Sequence, residues 1–303
     1  MSDVDRTIVP DSEHKGLVAR LPQPWRDYAL LARFDRPIGW WLLFWPCVWG
    51  VWLAGGGAQW GLIGWLLVGS IAMRGAGCVY NDIVDADLDR QVARTAARPV
   101  ASGRVSRKAA WAWLLLLCGV GLAVLLQLRW QAQIVALASL VLVAAYPFMK
   151  RITWWPQAWL GLVFTWGALV GWVSVSSHSW SALAALYAGA VCWVIGYDTI
   201  YALQDREDDA LVGIRSSALR MGARVRGGVA AFYAGAVVCW ALAFWLLRAD
   251  GLALLALVPV AAHLAWQVAT LAPDEDGNAL ARFRSNRMTG LLMAAACFVV
   301  GNA

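Results

Sequence analysis

The sequence predicts an all-α membrane protein with nine transmembrane helices and a cytoplasmic N-terminus. Three observations carry the membrane assignment. The first two are that 61% of the 303 residues are hydrophobic and that the mean hydropathy is +0.59. A third is that apolar runs close to the roughly 20 residues needed to cross a bilayer recur along the chain. The 21 tryptophans suit rings that lie at the two membrane interfaces. This composition argues against a soluble globular enzyme.

Nine apolar runs are the predicted spans, and the last of them is short. They lie at Ile38–Leu53, Trp60–Val79, Ala109–Leu128, Gln131–Phe148, Pro156–Val175, Ser181–Ile200, Gly227–Leu247, Leu252–Leu271 and Met288–Ala303. Residues 1–36 are predicted to form a cytoplasmic tail. Residues 37–303 are predicted to form a single transmembrane domain, built from two four-helix pseudo-repeats and a ninth helix.

The basic residues predict the orientation of these spans. Of the 25 Lys and Arg residues, 22 lie in the N-terminal tail and in the even-numbered loops. The other three are Arg74, inside a span, and Arg129 and Arg248, in odd-numbered loops. The tail and the even loops are therefore expected in the cytoplasm. The basic excess serves orientation, so no nucleic-acid partner is predicted.

The N-terminal 35 residues contain no continuous apolar core, which argues against a cleavable signal peptide, and their acidic residues argue against an organelle transit sequence. We expect a multi-pass protein of a bacterial inner membrane with its active site facing the cytoplasm. The six cysteines lie in apolar runs without a metal-ligand spacing, so neither disulfides nor metal thiolates are predicted.

The carboxylates are concentrated at two points of the chain. Between Pro37 and Pro273 there are ten Asp or Glu residues, and nine of them form two clusters, after the second span and at the end of the sixth. In the first cluster, Asn81, Asp85 and Asp89 share one helical face if the second helix continues past Val79, and Asp82 lies beside them. Like charges at this spacing repel, so a cation must neutralise them. Oxygen ligands beside a phosphate suit Mg²⁺, which predicts a metal-bridged diphosphate.

The second cluster has the same chemical character. Asp198, Asp205 and Asp209 share a helical face with Tyr201 near it, so the two clusters together would hold several Mg²⁺ ions around a single diphosphate. The alternative is that both segments are solvated loops whose acids pair with neighbouring arginines. Asp87 and Glu207 lie off the main faces and are not assigned to the site.

Basic side chains are expected to bind the leaving diphosphate together with the metal. The candidates are Arg74, Arg94, Arg98, Lys150, Arg151 and Arg215. For each residue the ordinary role in topology is an alternative. Arg74, seven residues before Asn81, either belongs to the site, snorkels to the interface or pairs structurally with an aspartate.

The acidic clusters resemble the two signatures of the UbiA superfamily of intramembrane prenyltransferases, NDxxDxxxD and a later DxxxD. Residues 81–89 match the first signature, and residues 198–209, followed by Gly213-Ile214-Arg215-Ser216, match the second. The resemblance runs from about Arg33 to the C-terminus and implies the prenyltransferase helix bundle. It implies the following roles: Asp82, Asp85, Asp198 and Asp205 as catalytic residues, and Asn81, Asp85, Asp89, Asp205 and Asp209 as ligands of Mg²⁺.

Three further stretches resemble the branch of the superfamily that prenylates 4-hydroxybenzoate for ubiquinone. They are residues 33–39 with Trp45-Pro46, residues 74–78, and residues 146–151 with Pro156-Gln157. The implied reaction joins a long polyprenyl group from its diphosphate to the ring, ortho to the hydroxyl. Asn81, Tyr201, the basic candidates and Arg33 are then expected to bind the substrates. Arg33 or Arg36 is a hypothetical partner of the benzoate carboxylate.

Other readings stay open at this point. Another member of the superfamily, such as a haem O synthase or a menaquinone-type prenyltransferase, has the same acid motifs and a different acceptor. A secondary transporter would also have duplicated helices and intramembrane charge, although its acids are expected near the bilayer midplane. The sequence does not predict the length of the prenyl donor or the oligomeric state.

Overall fold

A computed structural model describes residues 18–23, 25–91, 95–206, 215–275 and 277–302. In these residues the secondary structure is entirely helical, and no strand occurs. Besides short 3₁₀ turns, the α-helices are α1 (Trp25–Leu31), α2 (Ile38–Leu53), α3 (Trp60–Val84), α4 (Ala86–Asp89), α5 (Arg107–Leu125), α6 (Trp130–Ile152), α7 (Pro156–Val175), α8 (Trp180–Ala202), α9 (Ser217–Met221), α10 (Val225–Leu247), α11 (Gly251–Leu255), α12 (Val258–Ala269) and α13 (Asn278–Asn302).

Seven helical segments in the described part of the chain are long and apolar enough to cross a membrane. They are Trp60–Val84, Arg107–Leu125, Trp130–Met149, Pro156–Val175, Trp180–Ala202, Ser217–Leu247 and Gly251–Ala269. Helix α2 is apolar but has only 16 residues, and the first half of α13 carries three arginines. The predicted all-helical, multi-pass architecture is confirmed. The count of nine spans and the orientation stay predictions.

Several helices extend beyond the apolar runs from which they were predicted. Helix α3 continues five residues past Val79 to Val84, and α13 begins at Asn278 rather than at Met288. Backbone hydrogen bonds form a helix through polar residues as well as through apolar ones, so an apolar run marks only the apolar part of a helix. For the first acidic cluster this extension matters, because Asn81 and Asp82 lie in it.

Capping side chains set the starts of several helices. The Ser106 hydroxyl accepts a hydrogen bond from the Ala109 amide (3.2 Å) at the start of α5. Pro156, which has no amide hydrogen to leave unpaired, lies in the first turn of α7. The Ser216 hydroxyl accepts from the Leu219 amide (3.3 Å) at α9.

The chain divides into two compact units. The first contains the described residues up to Trp40 and residues Leu67–Gln127. Its apolar core is formed by α1, α3, α4, α5 and the loop before α5, with these buried residues: Leu31, Ala32, Ala76, Val79, Ile83, Ala86, Val100, Val105, Ala110, Leu114 and Leu117. This core fixes the end of α3 that carries the first acidic cluster.

The second unit contains residues Trp41–Leu66 and the described residues from Leu128 onward. An aromatic cluster lies in its core: the Trp49 ring centroid is 5.0 Å from that of Trp193 and 5.5 Å from that of Trp240, and Trp193 also contacts Tyr197 (4.9 Å). These four side chains are fully buried. The expectation that tryptophan serves the membrane interfaces is therefore wrong for Trp49, Trp193 and Trp240, which pack the helices together.

A buried polar network joins α8, α10, α12 and α13 in the same unit. The Asn286 Oδ1 accepts from the Trp193 Nε1 (2.8 Å), and the Asn286 Nδ2 donates to the Gln267 Oε1 (3.0 Å). The Gln267 Oε1 also accepts from the Tyr233 hydroxyl (2.9 Å). His263 bonds to Thr289 at the edge of the network (2.9 Å), which supports a structural role for this histidine. Polar groups inside an apolar bundle must be paired in this way because an unsatisfied one is costly.

Candidate active site

The first acidic cluster lies at the end of α3 and in α4. The Asp85 amide donates to the Asn81 carbonyl (2.9 Å) and the Asp89 amide donates to the Asp85 carbonyl (2.8 Å), so helical spacing continues through the break at Asp85. Asn81, Asp85 and Asp89 thus keep the i, i+4, i+8 relation that the sequence predicts. Asp82 and Asp85 are 1% exposed and Asp89 is 5% exposed. Carboxylates buried to this extent must be compensated by positive charge.

Two arginines supply that charge. The Arg33 Nη2 donates to both carboxylate oxygens of Asp82, at 2.8 and 3.1 Å. The Arg98 Nη1 bridges the cluster, with the Asp82 Oδ1 at 3.3 Å and the Asp89 Oδ2 at 2.8 Å. The alternative of a fully solvated acidic loop does not hold for these buried groups, although the expected pairing of the acids with a neighbouring arginine does occur at Arg98.

Arg33 reaches Asp82 from an unusual backbone conformation. The residue has φ = 58°, in the left-handed region, at the end of α1. The Phe34 amide donates to the Ala29 carbonyl (3.0 Å) and the Arg33 amide to the Leu30 carbonyl (3.1 Å), which is the Schellman hydrogen-bond pattern of a helix C-terminus. Glycine is the usual residue at this position because a Cβ is strained there. Here the position carries the side chain that binds Asp82.

The loop after α4 is tied down on both sides of Arg98. The Thr95 hydroxyl donates to the Asp89 carbonyl (3.0 Å), and the Arg90 Nε donates to the Ala101 carbonyl (3.0 Å). Arg104 links the loop to α1 through the Asp27 carboxylate (3.0 Å). These bonds fix the loop around Arg98, which explains how a residue nine positions after Asp89 returns to the cluster. Sequence reasoning missed Thr95 and Asp27.

The largest influence on the pKa differs between Asp89, where it is burial, and Asp87, where it is ion pairing. Burial raises the pKa of Asp89, against the charge and hydrogen bond of Arg98, which lower it. The Asp87 side chain is 71% exposed and forms ion pairs with Arg107 (2.6 Å) and Arg90 (3.0 Å). The hydrogen bond and charge of Arg107 lower the pKa of Asp87. Its position agrees with the expectation that Asp87 lies off the main face.

Arg74 lies in α3, seven residues before Asn81, and its side chain lies against Gly39. A Cβ at Gly39 would lie 2.7 Å from the Arg74 Nε, so a larger residue there would require this guanidinium to move. Gly39 belongs to the stretch 33–39 that was singled out in the sequence. The close approach gives a physical reason for the glycine there.

The donor set of the first cluster fits a hard divalent cation. The Asn81 amide makes no side-chain hydrogen bond within the described part of the chain, and Asp85 lies one turn from it with a buried carboxylate. Asp89 uses one carboxylate oxygen for Arg98. Mg²⁺ needs one or two carboxylates and fills its other positions with water and phosphate oxygens. Among the residues described, no group of three His, Cys, Asp or Glu side chains is assembled for a metal.

The second cluster lies in the second unit. Asp198 is half-buried in the last turns of α8, and the Tyr201 ring lies 4.6 Å from the Phe283 ring. Asp205 ends the 3₁₀ turn that follows α8, but its side chain is outside the described part. Asp209 lies outside the described residues altogether, as do Glu207 and Asp208. Arg206 pairs with the exposed Asp274 (3.6 Å).

The chain that follows the second cluster returns to α8 beside Asp198. The Thr199 and Ser217 hydroxyls are hydrogen bonded at 2.6 Å, and the Ser217 amide donates to the Gln157 Oε1 (3.0 Å). All three residues are buried. Gln157 belongs to the Pro156-Gln157 stretch, which is the sequence signal that points to this link. Its hydrogen bond anchors the chain at Ser217, eight residues after Asp209 in sequence.

The remaining basic candidates differ in how they are placed. Arg215 donates to the Ile152 carbonyl (2.8 Å) and lies 5.6 Å from the Trp154 ring. Arg151 is exposed at the end of α6. Arg94 lies outside the described residues, and nothing is described of the Lys150 side chain.

Comparison with known proteins identifies related sequences and structures. The profile of the UbiA prenyltransferase family matches residues 43–296. The chain is 41% identical over 290 residues to the mitochondrial 4-hydroxybenzoate polyprenyltransferase of Drosophila pseudoobscura pseudoobscura, covering 94% of this chain and 73% of that protein. It is 41% identical over 298 residues to the corresponding protein of Caenorhabditis elegans, covering 95% and 81%.

Solved structures share the fold. A UbiA homolog from Aeropyrum pernix K1 superposes with a TM-score of 0.71 at 25% identity, covering 86% of this chain and 97% of that chain. A UbiA homolog from Archaeoglobus fulgidus, solved with DMAPP and Mg²⁺, has a TM-score of 0.67 at 18% identity, covering 91% and 99%. This similarity extends over nearly the whole described chain.

Proposed function

Because the chain belongs to the UbiA prenyltransferase family, we propose that it transfers a polyprenyl group from polyprenyl diphosphate to the ring of 4-hydroxybenzoate, ortho to the hydroxyl, in ubiquinone biosynthesis. The observation that carries this proposal is the 41% identity, over 94% of the chain, to a relative named for that reaction. The buried cluster of Asp82, Asp85 and Asp89 with Arg33 and Arg98 supplies chemistry that suits a diphosphate.

The donor types at the first cluster support a divalent metal site. Asn81, Asp85 and Asp89 would hold Mg²⁺ there, and Asp198, Asp205 and Asp209 of the second cluster would hold Mg²⁺ in the same reaction. When bound, the metal neutralises the diphosphate and makes it a better leaving group. The Archaeoglobus fulgidus homolog was solved with Mg²⁺ and a prenyl diphosphate, which supports this assignment.

The arginines hold the charge that develops on the diphosphate. Arg98 donates from Nη1 to Asp82 and Asp89, and its Nε is buried without a hydrogen-bond partner among the residues the structure describes. A phosphate oxygen is a suitable acceptor for such a donor. Asp82 would then be catalytic by fixing Arg33 and Arg98. We propose further substrate contacts from Arg74, Arg94, Lys150, Arg151 and Tyr201.

The chemical step breaks the allylic C–O bond, and the diphosphate leaves with the bonding electrons. The ring carbon ortho to the phenol hydroxyl attacks the allylic carbon, and the proton on that ring carbon is then lost. Apolar helices around the reacting groups exclude water, which would otherwise capture the carbocation. The structure pairs Arg33 with Asp82 (2.8 Å) and Arg36 with Asp35 (3.0 Å), so variants of both arginines are to be tested against the benzoate carboxylate.

The topology completes the proposal. Nine spans with the N-terminus in the cytoplasm fit the distribution of Lys and Arg, and they put the first acidic cluster at the cytoplasmic side. We propose a bacterial inner membrane as the location, although the relatives compared above are named as mitochondrial proteins. Cysteine accessibility from either side of sealed vesicles tests the orientation.

An acceptor panel tests the substrate assignment. Membranes that contain the protein are supplied with Mg²⁺ and a polyprenyl diphosphate, and with 4-hydroxybenzoate, haem B or a naphthoate acceptor in parallel. Prenylated 4-hydroxybenzoate as the main lipid-extractable product supports the proposal. Product with haem or the naphthoate alone would move the protein to another branch of the family.

A further inference from the structure

The second unit contains a cavity of about 400 Å³ at the end of its helices remote from Asp198. The ends of α2, α7, α10 and α13 and the residue before α8 line it, and its polar lining groups include Ser176, Ser179 and Arg248. An α-helix rises about 1.5 Å per residue, so Asp198 lies roughly 28 Å along α8 from Ser179. This distance is close to the thickness of the hydrocarbon core of a bilayer. The cavity is therefore separate from Asp198 of the second acidic cluster.

Exposed tryptophans mark this end of the unit as a membrane interface. Trp60, Trp130 and Trp180 are each the first residue of a long helix, and all three are exposed. Trp180 follows Ser179 directly. Tryptophan rings at helix ends favour the level of the lipid headgroups.

Contacts connect the other two tryptophans to the cavity. The Trp60 ring lies 5.8 Å from that of Trp52, which precedes the lining residue Leu53. Arg129, next to Trp130, donates to the Val175 carbonyl (3.3 Å), which precedes the lining residue Ser176. The cavity thus lies at the same end of the helices as the three exposed tryptophans, the end expected at headgroup depth.

Both arginines of the odd-numbered loops lie at this end. Arg248 lines the cavity, and Arg129 contacts the segment that contains Ser176. The Arg248 side chain forms no ion pair or hydrogen bond within the described part of the chain, and none of the described lining residues is acidic. The nearest carboxylate in sequence, Asp250, accepts from the Leu252 amide (2.9 Å) at the start of α11. An anion from outside the protein would complete the coordination of Arg248.

Two hydroxyls add hydrogen-bond donors beside this cation. Ser179 has φ = 55° and its side chain does not cap α8, so its hydroxyl is not used by the helix that follows. The Ser176 hydroxyl accepts from the His178 amide (3.2 Å), which leaves its own hydrogen to donate. A guanidinium and hydroxyl donors in a water-accessible cavity are typical of phosphate recognition.

We propose that this cavity binds the phosphate of a phospholipid headgroup through Arg248, Ser176 and Ser179. The acyl chains of the lipid would lie in the membrane, and the phosphate would hold the ends of α7, α8 and α10 together. The proposal is independent of the transferase reaction, because the site lies at the opposite end of α8 from Asp198.

Native mass spectrometry of the full-length protein tests the site. The probes are phosphatidylglycerol, a diacylglycerol with the same acyl chains but no phosphate, and inorganic phosphate. Loss of a charge-assisted hydrogen bond predicts about tenfold weaker phosphatidylglycerol binding for Arg248→Gln. Arg248→Lys keeps the charge and should retain most binding. Arg224→Gln, an exposed arginine at the opposite end of α10, is the matched control and should bind as the unmodified protein does.

The outcomes separate the sources of the anion. The proposal is supported if the protein retains phosphatidylglycerol better than diacylglycerol and if this preference depends on Arg248. Millimolar inorganic phosphate should not displace the lipid. Equal retention of the two lipids, equal binding by Arg248→Gln and the unmodified protein, or displacement of the lipid by inorganic phosphate overturns it. If Arg248→Gln does not fold, the double variant Ser176→Ala/Ser179→Ala should weaken lipid binding by about threefold because it removes two neutral donors.

Discussion

The Arg33 guanidinium lies 2.8 Å from the Asp82 carboxylate, and the backbone of Arg33 is left-handed where a helix C-terminus normally has glycine. The strain at Arg33 and the burial of Asp82 thus meet in one ion pair. Strained residues that a fold retains are concentrated at functional sites. This pair is the structural basis for the roles that we assign to the first acidic cluster.

The backbone strain at Arg33 predicts an order of stability between two variants. Arg33→Gly and Arg33→Ala both remove the guanidinium, but only glycine adopts φ = 58° without a Cβ penalty. Arg33→Gly should therefore be more stable than Arg33→Ala by about 1 kcal/mol in the free energy of unfolding. Denaturant titration of the purified protein measures the difference. At Arg36, which is not left-handed, the glycine variant should be no more stable than the alanine variant.

The pairing of Asp82 with two arginines predicts that Asp82 and Asp85 differ in their effect on metal dependence. Asp85→Asn should raise the Mg²⁺ concentration for half-maximal activity about tenfold or more, since a carboxylate ligand is lost. Asp82→Asn should leave that concentration nearly unchanged and raise the KM for polyprenyl diphosphate, because Arg33 and Arg98 lose their anchor. Mg²⁺ titrations of the initial rate decide this, with the exposed Asp87→Asn as control. A shared shift in Mg²⁺ dependence for Asp82 and Asp85 would refute the distinction.

Gln157 is predicted to stabilise the return of the chain to α8. Gln157→Leu leaves the buried Ser217 amide without its acceptor, and such a group costs about 1–3 kcal/mol. The melting temperature and the activity should both fall, since the segment before Ser217 carries Asp209. Gln133→Leu, on the neighbouring helix α6, is the control: it loses one local hydrogen bond to the Leu128 carbonyl (2.9 Å), so the melting temperature should fall less and the activity should not change. Unchanged activity in Gln157→Leu would remove Gln157 from the support of the second cluster.

The buried network around Asn286 is predicted to be a major source of stability for the second unit. Asn286→Leu leaves the Trp193 Nε1 without its acceptor and removes a partner of Gln267, which should cost roughly 2–4 kcal/mol. Unfolding of the purified protein should occur at distinctly lower denaturant concentration. Ser285→Ala, on the same helix, loses one local hydrogen bond and should cost well under half as much. Equal losses in the two variants would show that the network adds little.

Sequence reasoning predicts the helices and the first acidic cluster because each depends on local spacing. Apolar runs locate the spans. The i, i+4, i+8 relation of Asn81, Asp85 and Asp89 needs only that helical hydrogen bonding continue past Val79, which it does across the break at Asp85. The pairing of Asp82 with Arg33 was not predictable in the same way. Arg33 is 49 residues away in sequence, and no local rule indicates that an arginine would occupy a left-handed position.

The tryptophans and the buried amides show a second limit of the sequence. Composition alone favours tryptophan at membrane interfaces, and Trp60, Trp130 and Trp180 agree with this, yet Trp49, Trp193 and Trp240 form a core. Whether a ring faces lipid or another helix depends on tertiary packing. The network of Gln267 and Asn286 is likewise assembled from separate helices, and each residue alone gives no periodic signal.

The most direct test of the account is prenyl transfer by purified protein in lipid vesicles with Mg²⁺, a polyprenyl diphosphate and 4-hydroxybenzoate. Three controls accompany it: EDTA, Asp85→Ala and Asp87→Ala. The account predicts ortho-prenylated 4-hydroxybenzoate from the unmodified protein and Asp87→Ala, and at least a hundredfold less from Asp85→Ala or with EDTA, about 2.7 kcal/mol or more in transition-state stabilisation. Product that persists in EDTA, or in Asp85→Ala at the unmodified rate, would contradict the assignment of the first acidic cluster as a metal-dependent diphosphate site.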